Sequence, residues 1–563
     1  METTNLSKVR RNKMLNTINE IKKNITDEET LTNLSMIENE LTKKKYGLIW
    51  EEHEERVDKE LETKIPTFEE VKDKEIVSNP EDKFNFLLEG DNLHSLYLLE
   101  KTHKGLIDVI YIDPPYNTGN NDFTYGDTVL SKEDEFKHSK WLSFMERRLK
   151  IAKNLLSDKG IIFISIDDNE QSELKLLCND IFGENNFVST LHWKKKKQPS
   201  YLHGQVAGIM EYILIYSKDR IKLDKLSLSA PTDSNTRVDN ATNQVAERLI
   251  KKGIRVKLDS SISVIKKGIY KNKTMQTEYL NDVFIKNGRT CNDFVAKAKF
   301  RDSQERIDLF CAEDVLFITK NYGFRRDKLK IELEKKKAIT DLILDWGDNQ
   351  DSDKELRNIF GDKVFDYPKP TLLIKNIIKS TNYNNAVILD FFAGSGTTAQ
   401  AVLELNEEDN GNRNFILCTN NENNICEDIT YQRIKTVITG KRKDESKYSE
   451  GIKANLKYYK CTYIPRINTE DENLHNNLLI NIKNLIQLEN GIEIDDNKIR
   501  VYLDEDELDK FSKNQSDLDV CEKVYISSDI LLTSMQESIF KNNNIEVYII
   551  PEYYFEDEIM EVM

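Results

Sequence analysis

The sequence is poor in cysteine and has no long hydrophobic run, and each absence excludes a class of protein. Seven cysteines occur in 563 residues, an odd number without a Cys-x-x-Cys pair. Neither a metal site nor a disulfide framework is therefore predicted, and a reducing cytoplasm is expected. The N-terminus has no apolar signal region, and no stretch of about 18 apolar residues could cross a bilayer. A phosphate-binding loop ending in Gly-Lys-Ser or Gly-Lys-Thr is also absent, so no helicase motif is predicted.

Positive charge is scarce in the chain as a whole but concentrated in one part of it. The net charge is −16, which is unusual for a protein that binds nucleic acid. Residues 191–340 nevertheless hold about 32 Lys and Arg against about 18 Asp and Glu, which leaves about −30 for the remainder. A basic segment inside an acidic chain predicts a surface for phosphate groups. The length and a hydrophobic fraction of 38% allow several globular domains.

The tetrapeptide Asp113-Pro114-Pro115-Tyr116 follows an apolar run at 106–112. The run predicts a buried strand of a parallel sheet, and open α/β sheets bind ligands at the carboxyl ends of such strands. Because the prolines hold the turn extended, Asp113 and the Pro114 carbonyl can accept both hydrogens of an exocyclic amino group, while Tyr116 stacks on its ring. This arrangement favours attack of the amino nitrogen on an electrophilic methyl group. An ordinary strand-terminating Pro-Pro turn is the alternative.

A second apolar strand, at 386–390, leads into a turn that contains Gly394 and Gly396, and then into a predicted helix at 398–405. The glycines let the backbone approach a ligand closely, and the helix N-terminus offers free N–H groups. The turn lacks the Lys-Ser/Thr ending of a P-loop and the third glycine of a dinucleotide fingerprint. Asp390 suits an α-amino group, which favours a third kind of nucleotide cofactor.

Together the two motifs resemble those of the S-adenosylmethionine-dependent DNA amino-methyltransferases. The resemblance implies that residues 113–116 are catalytic and that Asp in the first position marks the adenine-N6 form rather than the cytosine-N4 form. The catalytic motif precedes the cofactor motif by about 280 residues, which resembles the permuted β class. By the same resemblance, the cofactor-binding residues of the second motif are Asp390, Phe391, Phe392, Gly394, Gly396 and Thr397.

Further motifs, at 113–119, 160–170 and Lys369-Pro370, are similar to those of the modification subunit of type III restriction–modification systems. The resemblance implies an α/β fold with a Rossmann-like methyltransferase sheet in circularly permuted motif order and an inserted target-recognition domain. Separately, the apolar spacing within 1–60 predicts a helical N-terminal addition, with a solvated helix as the alternative, and late strand-like segments predict an α+β C-terminal addition. The implied partners are double-stranded DNA, a second copy of the chain in a homodimer, and a separate restriction subunit with helicase and nuclease activity. No membrane is expected among them.

Three further residues are candidates for cofactor binding. Asp91 follows an apolar stretch at 84–88, where it can accept from the adenine amino group of the cofactor or cap the helix that follows. Glu422 follows a predicted strand at 415–418 and suits ribose hydroxyls, or it lies in a solvated loop. Lys369 opens a helix that, by the resemblance, flanks the methionine part of the cofactor, or it is a solvated helix start.

The basic segment supplies the candidates for DNA contacts. The run Lys194-Lys195-Lys196-Lys197 predicts phosphate binding, although such runs also occur on solvated surfaces. Base readout is expected from Arg, Asn or Gln side chains of the same segment, such as Arg325 and Arg326.

Five segments are predicted along the chain. They are a helical arm at 1–60, the catalytic half of the methyltransferase core at 61–220, a target-recognition domain at 221–345 with the basic region beginning near 191, the cofactor half of the core at 346–440, and an acidic interaction domain at 441–563. The predicted function is site-specific adenine-N6 methylation of DNA by base flipping, in the cytoplasm at the nucleoid. A non-catalytic DNA-recognition subunit and a cytosine-N4 or RNA methyltransferase are the alternatives.

Overall fold

A computed structural model gives the fold. It describes residues 6–42, 50, 53, 55–125, 128–131, 136–199, 205–228, 235–271, 276–329, 332, 337–465 and 471–551. The chain forms two compact units. The first comprises Met1–Asp224, Thr340–Lys379 and Tyr383–Met563, and the second comprises Lys225–Ile339 and Ser380–Asn382.

The α-helices of the described residues are α1 Leu6–Lys22, α2 Glu28–Thr42, α3 Arg56–Thr63, α4 Asn92–His103, α5 Lys137–Leu155, α6 Gln171–Phe182, α7 Gln304–Ala312, α8 Asn349–Phe360, α9 Thr371–Ser380, α10 Thr397–Asp409, α11 Gln432–Thr439, α12 Asp471–Asn490, α13 Glu505–Ser512, α14 Gln515–Leu518 and α15 Ser534–Asn542. A π-helix at Ile425–Tyr431 leads directly into α11.

The strands of the same residues are β1 Lys64–Glu70, β2 Phe84–Glu89, β3 Ile107–Ile112, β4 Asn120–Tyr125, β5 Thr128–Ser131, β6 Leu156–Ile166, β7 Phe187–Lys194, β8 Met210–Ser217, β9 Ser227–Leu228, β10 Asn235–Arg237, β11 Ala246–Ile250, β12 Arg255–Val256, β13 Val264–Ile265, β14 Gly268–Lys271, β15 Gln276–Tyr279, β16 Val283–Lys286, β17 Arg289–Thr290, β18 Phe294–Ala298, β19 Leu316–Ile318, β20 Phe324–Asp327, β21 Lys337–Ala338, β22 Leu342–Ile343, β23 Asn385–Asp390, β24 Asn412–Thr419, β25 Asn455–Pro465, β26 Ile499–Tyr502, β27 Lys523–Ile526 and β28 Glu546–Ile549.

The first unit is built on a ten-stranded sheet with the order β1-β25-β2-β24-β23-β3-β6-β8-β7-β22. Neighbouring strands from β25 to β6 are parallel, and β8 runs antiparallel between β6 and β7. The early strand β3 lies beside the late strand β23. This order confirms the predicted Rossmann-like sheet with permuted motif order.

The pairing of β3 with β23 creates the crevice in which such sheets bind ligands. Ile388 pairs with Val109 and Leu389 with Ile110. The only charged residue of β3, Asp108, accepts a hydrogen bond from the Val387 N–H at 3.0 Å and so joins the two strands. From β23 the chain continues through α10 to β24 on one side, and from β3 it continues through α5 to β6 on the other. The carboxyl ends of β3 and β23 therefore form a topological switch point.

Strands of this sheet are buried because their apolar runs are covered by helices on both faces. The last seven residues of β6 are all buried, as are five of the six residues of β3. Each fully buried Ile or Leu side chain contributes roughly 1.5–3 kcal/mol. The strands predicted at 106–112 and 386–390 are confirmed, with boundaries that differ by one residue. The hydrophobic core consequently fixes the backbone from which both motifs project.

The second unit has its own sheets and its own hydrophobic core. Seven strands follow the order β10-β20-β19-β12-β17-β16-β13, and four follow the order β11-β18-β15-β14. Aromatic side chains fill the core between them, among them Phe294, Phe310 and Phe324. The two ends of the unit meet, because Ser227 in β9 pairs with Ala338 in β21. This unit is therefore an insertion whose entry and exit lie side by side.

The N-terminal addition is helical, as predicted, whereas the C-terminal addition is α/β and not the predicted α+β, because its strands are parallel and alternate with helices. Lys22 in α1 donates to Glu38 in α2 at 2.6 Å, which holds the two helices as a hairpin. Near the C-terminus, β26, β27 and β28 form a parallel three-stranded sheet with α13 and α15. In the described ranges, no helix combines the length and the apolar character needed to cross a membrane.

Candidate active site

The turn after β3 is held by hydrogen bonds on both sides. The Tyr116 hydroxyl donates to Asp113 Oδ1 at 2.8 Å, and the Trp141 indole N–H donates to the Pro115 carbonyl at 2.7 Å. Asn117 follows in the left-handed region with φ 55°. Trp141 thus fixes the turn against α5, and Asp113 stays directly after β3 at the carboxyl edge of the sheet.

Lys369 lies at this turn and not on the glycine loop. Its ammonium donates to both carboxylate oxygens of Asp113 at 2.8 Å and to the Tyr116 hydroxyl at 2.9 Å. The side chain of Lys369 is 8% exposed. Glu211 of β8, which sequence reasoning missed, lies 3.6 Å from the same ammonium. One charged cluster of Lys369, Glu211, Asp113 and Tyr116 thus lies at the turn after β3. Lys369 and Glu211 are buried, and Asp113 and Tyr116 are half-buried.

The charges of this cluster raise the pKa values of Lys369 and Tyr116. Burial alone would lower the pKa of Lys369, but Asp113 and Glu211 outweigh it and hold the pKa above its ordinary value. Burial, and then the charges of Asp113 and Glu211, raise the pKa of Tyr116 well above its usual range. Lys369 is therefore an ammonium and Tyr116 a neutral hydrogen-bond donor at neutral pH.

The glycine loop after β23 has the backbone that its sequence predicts. Gly394 has φ +48° and Gly396 has φ +77°, a region that favours glycine. A Cβ added to Gly396 would lie 3.2 Å from Thr430 Cγ2, and one added to Gly394 would lie 3.2 Å from Phe365 Cζ. Gly396 is the N-cap of α10, so the free N–H groups of that helix begin directly after the loop.

Asp390 is engaged by the loop itself. Its carboxylate accepts from the Thr398 hydroxyl at 2.5 Å and from the Phe392 N–H at 3.0 Å. Burial raises the pKa of Asp390 to about 7, although these two hydrogen bonds act against it. The predicted contact to an α-amino group stays a prediction, because in this structure the carboxylate shapes the loop.

A buried arginine that sequence reasoning missed supports the same loop. Arg433 donates to the Ser395 hydroxyl at 3.1 Å, to the Thr397 hydroxyl at 2.8 Å and to Gln400 at 2.8 Å. Burial lowers the pKa of Arg433. Thr397, predicted to bind cofactor, also donates to the Lys369 carbonyl at 3.2 Å. The loop is thereby tied to the segment that carries Lys369.

The two phenylalanines of the cofactor motif differ in exposure. Phe391 lies in the hydrophobic core, and its carbonyl accepts from Asn92 at 2.7 Å. Phe392 is partly buried and its ring lies 5.8 Å from that of Phe144. Because the Phe391 side chain is buried in the core, a cofactor contact of this residue would have to come from its backbone, and its role in cofactor binding stays a prediction.

Asp91 caps helix α4, as the alternative interpretation of this residue predicts. Its carboxylate accepts from the Leu93 N–H at 2.8 Å and pairs with Arg148 at 3.3 Å. The buried Arg148 also donates to Asn92 at 2.6 Å and to Glu55. A cofactor contact is compatible with the cap, because the Asp91 side chain is 40% exposed. Glu422 is likewise exposed, three residues after β24 ends at the same edge of the sheet.

The four lysines of the basic run have different environments. Lys195 donates to Glu211 at 2.9 Å, and Lys197 pairs with Asp351 at 3.1 Å and with Asp348 at 3.3 Å. Lys194 ends β7 and is half-buried, whereas Lys196 is exposed. A cavity of about 790 Å³ lies beside the run, and its lining includes Lys195, Lys196, Lys197, Lys354, Arg357 and Tyr367. Acids neutralise part of the run, and Lys196 is the member most open to a phosphate.

Arg325 and Arg326 face opposite sides of β20. Arg325 is exposed and donates to Asn235 at 2.7 Å. Arg326 is 3% exposed, pairs with Glu332 at 2.5 Å, and stacks on Phe310 at 4.3 Å. The prediction that Arg326 contacts DNA is corrected on this geometry, because its guanidinium is buried and paired. Arg325 stays a predicted contact.

The buried carboxyl group of Glu170 is hydrogen-bonded to Asn117, the residue after Tyr116; the sequence motif at 160–170 includes Glu170 but assigns it no role. Asn117 donates to Glu170 Oε1 at 2.5 Å and to the Lys137 carbonyl at 3.2 Å, and His138 Nδ1 lies 2.7 Å from the same Glu170 oxygen. Burial raises the pKa of Glu170 to about 8. Glu170 therefore joins the residue after Tyr116 to the start of α5.

Residues 107–432, which contain both motifs and the strands that carry them, match the family model described as DNA methylase. The chain belongs to the DNA methylase family. This methylase is 37% identical over 360 residues to the type III restriction-modification enzyme StyLTI Mod subunit of Salmonella typhimurium, an alignment that covers 60% of this chain and 52% of the relative. It is 31% identical to the EcoPI Mod subunit of Escherichia phage P1, with 60% of this chain and 58% of the relative covered.

A type II relative is covered more fully. The methylase is 33% identical to the type II methyltransferase M.KpnI of Klebsiella pneumoniae, over 59% of this chain and 79% of the relative. The methylase spans about half the length of the type III relatives it matches. These alignments confirm the resemblance to type III modification subunits that the sequence motifs indicate.

Two solved structures are similar at low identity. A putative DNA modification methylase from Thermus thermophilus, complexed with S-adenosyl-L-methionine, is 13% identical with a TM-score of 0.28, over 59% of this chain and 88% of that chain. The PvuII DNA methyltransferase, described as cytosine-N4-specific, is 12% identical with a TM-score of 0.31, over 63% of this chain and 94% of that chain. Because both TM-scores are low, the fold assignment rests on the strand order and not on these two structures.

Proposed function

We propose that this methylase transfers a methyl group from S-adenosylmethionine to N6 of adenine in double-stranded DNA. We further propose that it is the modification and specificity subunit of a type III restriction–modification system. The observation that carries the proposal is the meeting of two motifs at one edge of the sheet, where β3 ends at Asp113 and β23 ends at the Gly394 loop. An amino-group acceptor and a cofactor loop belong at such a switch point.

The residues of the loop fit the cofactor. Positive φ at Gly394 and Gly396 lets the backbone approach a ligand, and the start of α10 supplies N–H donors for a carboxylate. Asp91 and Glu422 present exposed carboxylates at the same edge, suited to an amino group and to ribose hydroxyls. When bound, S-adenosylmethionine supplies an electrophilic methyl group.

The catalytic turn provides what an adenine amino group requires. Asp113 accepts one of its hydrogens and the Pro114 carbonyl the other, which leaves the nitrogen lone pair directed away from both acceptors. Tyr116 stacks on the base after it leaves the duplex, and this contact offsets part of the few kcal/mol that flipping costs. The nitrogen would become cationic as it takes the methyl group, while the electron pair of the broken methyl–sulfur bond stays with the sulfur. The Asp113 carboxylate is placed to accept the proton that the nitrogen then loses.

The second unit is the proposed target-recognition domain, with the phosphate backbone bound by basic residues of the 191–340 segment. Phosphate contacts give affinity, and base contacts from residues such as Arg325 give sequence preference. The homodimer and the separate restriction subunit are proposed from the resemblance to type III modification subunits. Sedimentation of the protein on a DNA duplex that it methylates tests the dimer, and a monomer there refutes it.

Methylation-sensitive long-read sequencing tests the proposal as a whole. Genomic DNA from cells that express the chain is compared with DNA from cells that express Asp113→Ala. N6-methyladenine within one recurring motif in the first sample only supports the proposal. N4-methylcytosine instead would assign the cytosine form. No modified motif in either sample would refute DNA methylation by this chain alone and favour a non-catalytic recognition subunit or an RNA acceptor.

A further inference from the structure

The acceptor atoms of Asp113 are occupied by donors from the protein itself. Lys369 Nζ lies 2.8 Å from each carboxylate oxygen, and the Tyr116 hydroxyl donates to Oδ1 at 2.8 Å. A carboxylate oxygen accepts about two hydrogen bonds. Oδ1 already accepts from both Lys369 and Tyr116, so a substrate amino group that binds this oxygen has to displace one of these donors.

The Lys369 ammonium resembles the group that displaces it. Both present N–H donors on one nitrogen, and the substrate nitrogen also becomes cationic as it takes up the methyl group. Burial makes an unpaired ammonium costly, and Lys369 is 8% exposed. If the substrate displaces the Lys369 ammonium from Asp113, the ammonium consequently needs a second acceptor that it can reach by a short movement.

Glu211 is placed to be that acceptor. Its Oε2 atom lies 3.6 Å from Lys369 Nζ and accepts from the Tyr116 hydroxyl at 3.3 Å. Both donors that hold Asp113 are therefore within about 1 Å of a short hydrogen bond to one oxygen of Glu211. The other oxygen, Oε1, accepts from Lys195 at 2.9 Å, which fixes the carboxylate.

We propose that Glu211 is a positioning residue that receives the Lys369 ammonium and the Tyr116 hydroxyl when the substrate amino group binds Asp113. The inference rests on the proposed function, because it assumes an amino-group substrate. No proton has to move, since the ammonium keeps a carboxylate partner in both positions. The pKa of Lys369 agrees with this, because Asp113 and Glu211 both raise it against the effect of burial. Lys369 thus controls access of the substrate amino group to Asp113, in addition to any contact with the cofactor.

Single-turnover methylation of duplex DNA tests the exchange with three variants. Glu211→Gln keeps the size of the side chain but removes its charge, so Lys369 stays on Asp113 and the rate falls by about tenfold or more. Affinity for the cofactor analogue sinefungin stays within about twofold of wild type. The control Glu184→Gln changes an exposed glutamate in a surface turn and leaves the rate unchanged.

The decisive comparison adds Lys369→Met to Glu211→Gln. If Glu211 receives the ammonium, removal of that ammonium raises the rate above that of Glu211→Gln alone. If Glu211 only supports the fold, the double variant is slower than the single one, and the proposal is overturned. An unchanged rate in Glu211→Gln overturns it as well. Thermal unfolding of each variant shows that the protein is folded.

If the wild-type protein methylates no DNA, the proposed function is refuted, and the movement of Lys369 from Asp113 to Glu211 is then tested by crystallography. Crystals are then soaked with deoxyadenosine monophosphate and sinefungin. Lys369 Nζ within hydrogen-bond distance of Glu211 supports the exchange, and Lys369 still paired with Asp113 beside the bound base overturns it.

Discussion

Lys369 and Asp113, which are 256 positions apart in the chain, form a two-point ion pair with both N···O distances at 2.8 Å. One partner comes from the segment before α9 and the other from the turn after β3. The pair links the two halves of the permuted core at the point where methyl transfer is proposed. Its strength follows from burial, because few water molecules can compete for a lysine that is 8% exposed.

Removal of the ammonium tests how much the ion pair stabilises the core. Lys369→Met leaves Asp113 with the Tyr116 hydroxyl alone, and we expect a loss of about 1–3 kcal/mol in the free energy of unfolding. The control Lys375→Met breaks ion pairs with Glu404 and Glu408 on α10, where we expect about 0–1 kcal/mol. Urea unfolding of both variants measures the difference, and equal losses would contradict the prediction.

Tyr116 is expected to act mainly through its ring. Tyr116→Ala removes the stacking surface, which is worth roughly 1–3 kcal/mol, so methyl transfer should fall by about 5- to 150-fold. Tyr116→Phe keeps the ring and loses only the hydroxyl that donates to Asp113, so a smaller loss is expected. Single-turnover rates on the same duplex rank the two variants. A larger loss in Tyr116→Phe would show that the hydroxyl matters more than the ring.

Alanine substitutions at two glycines distinguish the effect of backbone strain from the effect of a Cβ that crowds the cofactor loop. Gly396→Ala strains a residue at φ +77° and places Cβ 3.2 Å from Thr430, so we expect sinefungin affinity to fall by about tenfold or more. Gly361 has a similar φ of +85°, and no described atom lies within 4 Å of a Cβ built there. Gly361→Ala should therefore lower stability through backbone strain alone, with sinefungin affinity unchanged. Calorimetric titration of both variants makes the comparison.

Glu170 is expected to give the protein a pH dependence. Its pKa is raised by burial from 4.5 to about 8, so the protonated form is favoured in the fold. The stability that this contributes is fully present below about pH 4.5 and is lost as the pH rises through about 8. The charged and titratable groups around it are His138, Lys137, Glu173 and Asp167.

Glu170→Gln replaces the protonated carboxyl with a neutral amide of the same shape. We expect a rate close to wild type at about pH 7 and a higher rate than wild type at about pH 9, where Glu170 ionises. Parallel pH profiles of rate and thermal stability measure this. Identical profiles for the two proteins would show that Glu170 does not titrate in this range.

Two neighbouring lysines test the basic run. Lys196 is exposed, so Lys196→Ala should lower the slope of log affinity against log salt by about 1. Lys197 is paired with Asp348 and Asp351, and Lys197→Ala should change the slope less. Fluorescence anisotropy at several salt concentrations distinguishes them. Equal changes in slope would mean that DNA displaces the two aspartates from Lys197.

The two motifs could be predicted from sequence because each is a strand followed directly by its own turn. Glu211 could not, because its partners come from the residue after β7, from the turn after β3 and from the segment before α9. A glutamate beside the apolar run of β8 was the one available signal. Arg326 was misjudged for a simpler reason. Strand residues alternate between two faces, so two adjacent arginines cannot both be exposed on a half-buried strand.

The adjacent ends of the second unit have a consequence for how such genes can diverge. Ser227 pairs with Ala338, so the segment between them begins and ends at one place. Recombination between related genes at these two places would exchange the whole insertion as a cassette. The sheet, the Asp113 turn and the glycine loop would be inherited intact, and under the proposed function a new insertion would bring a new sequence preference.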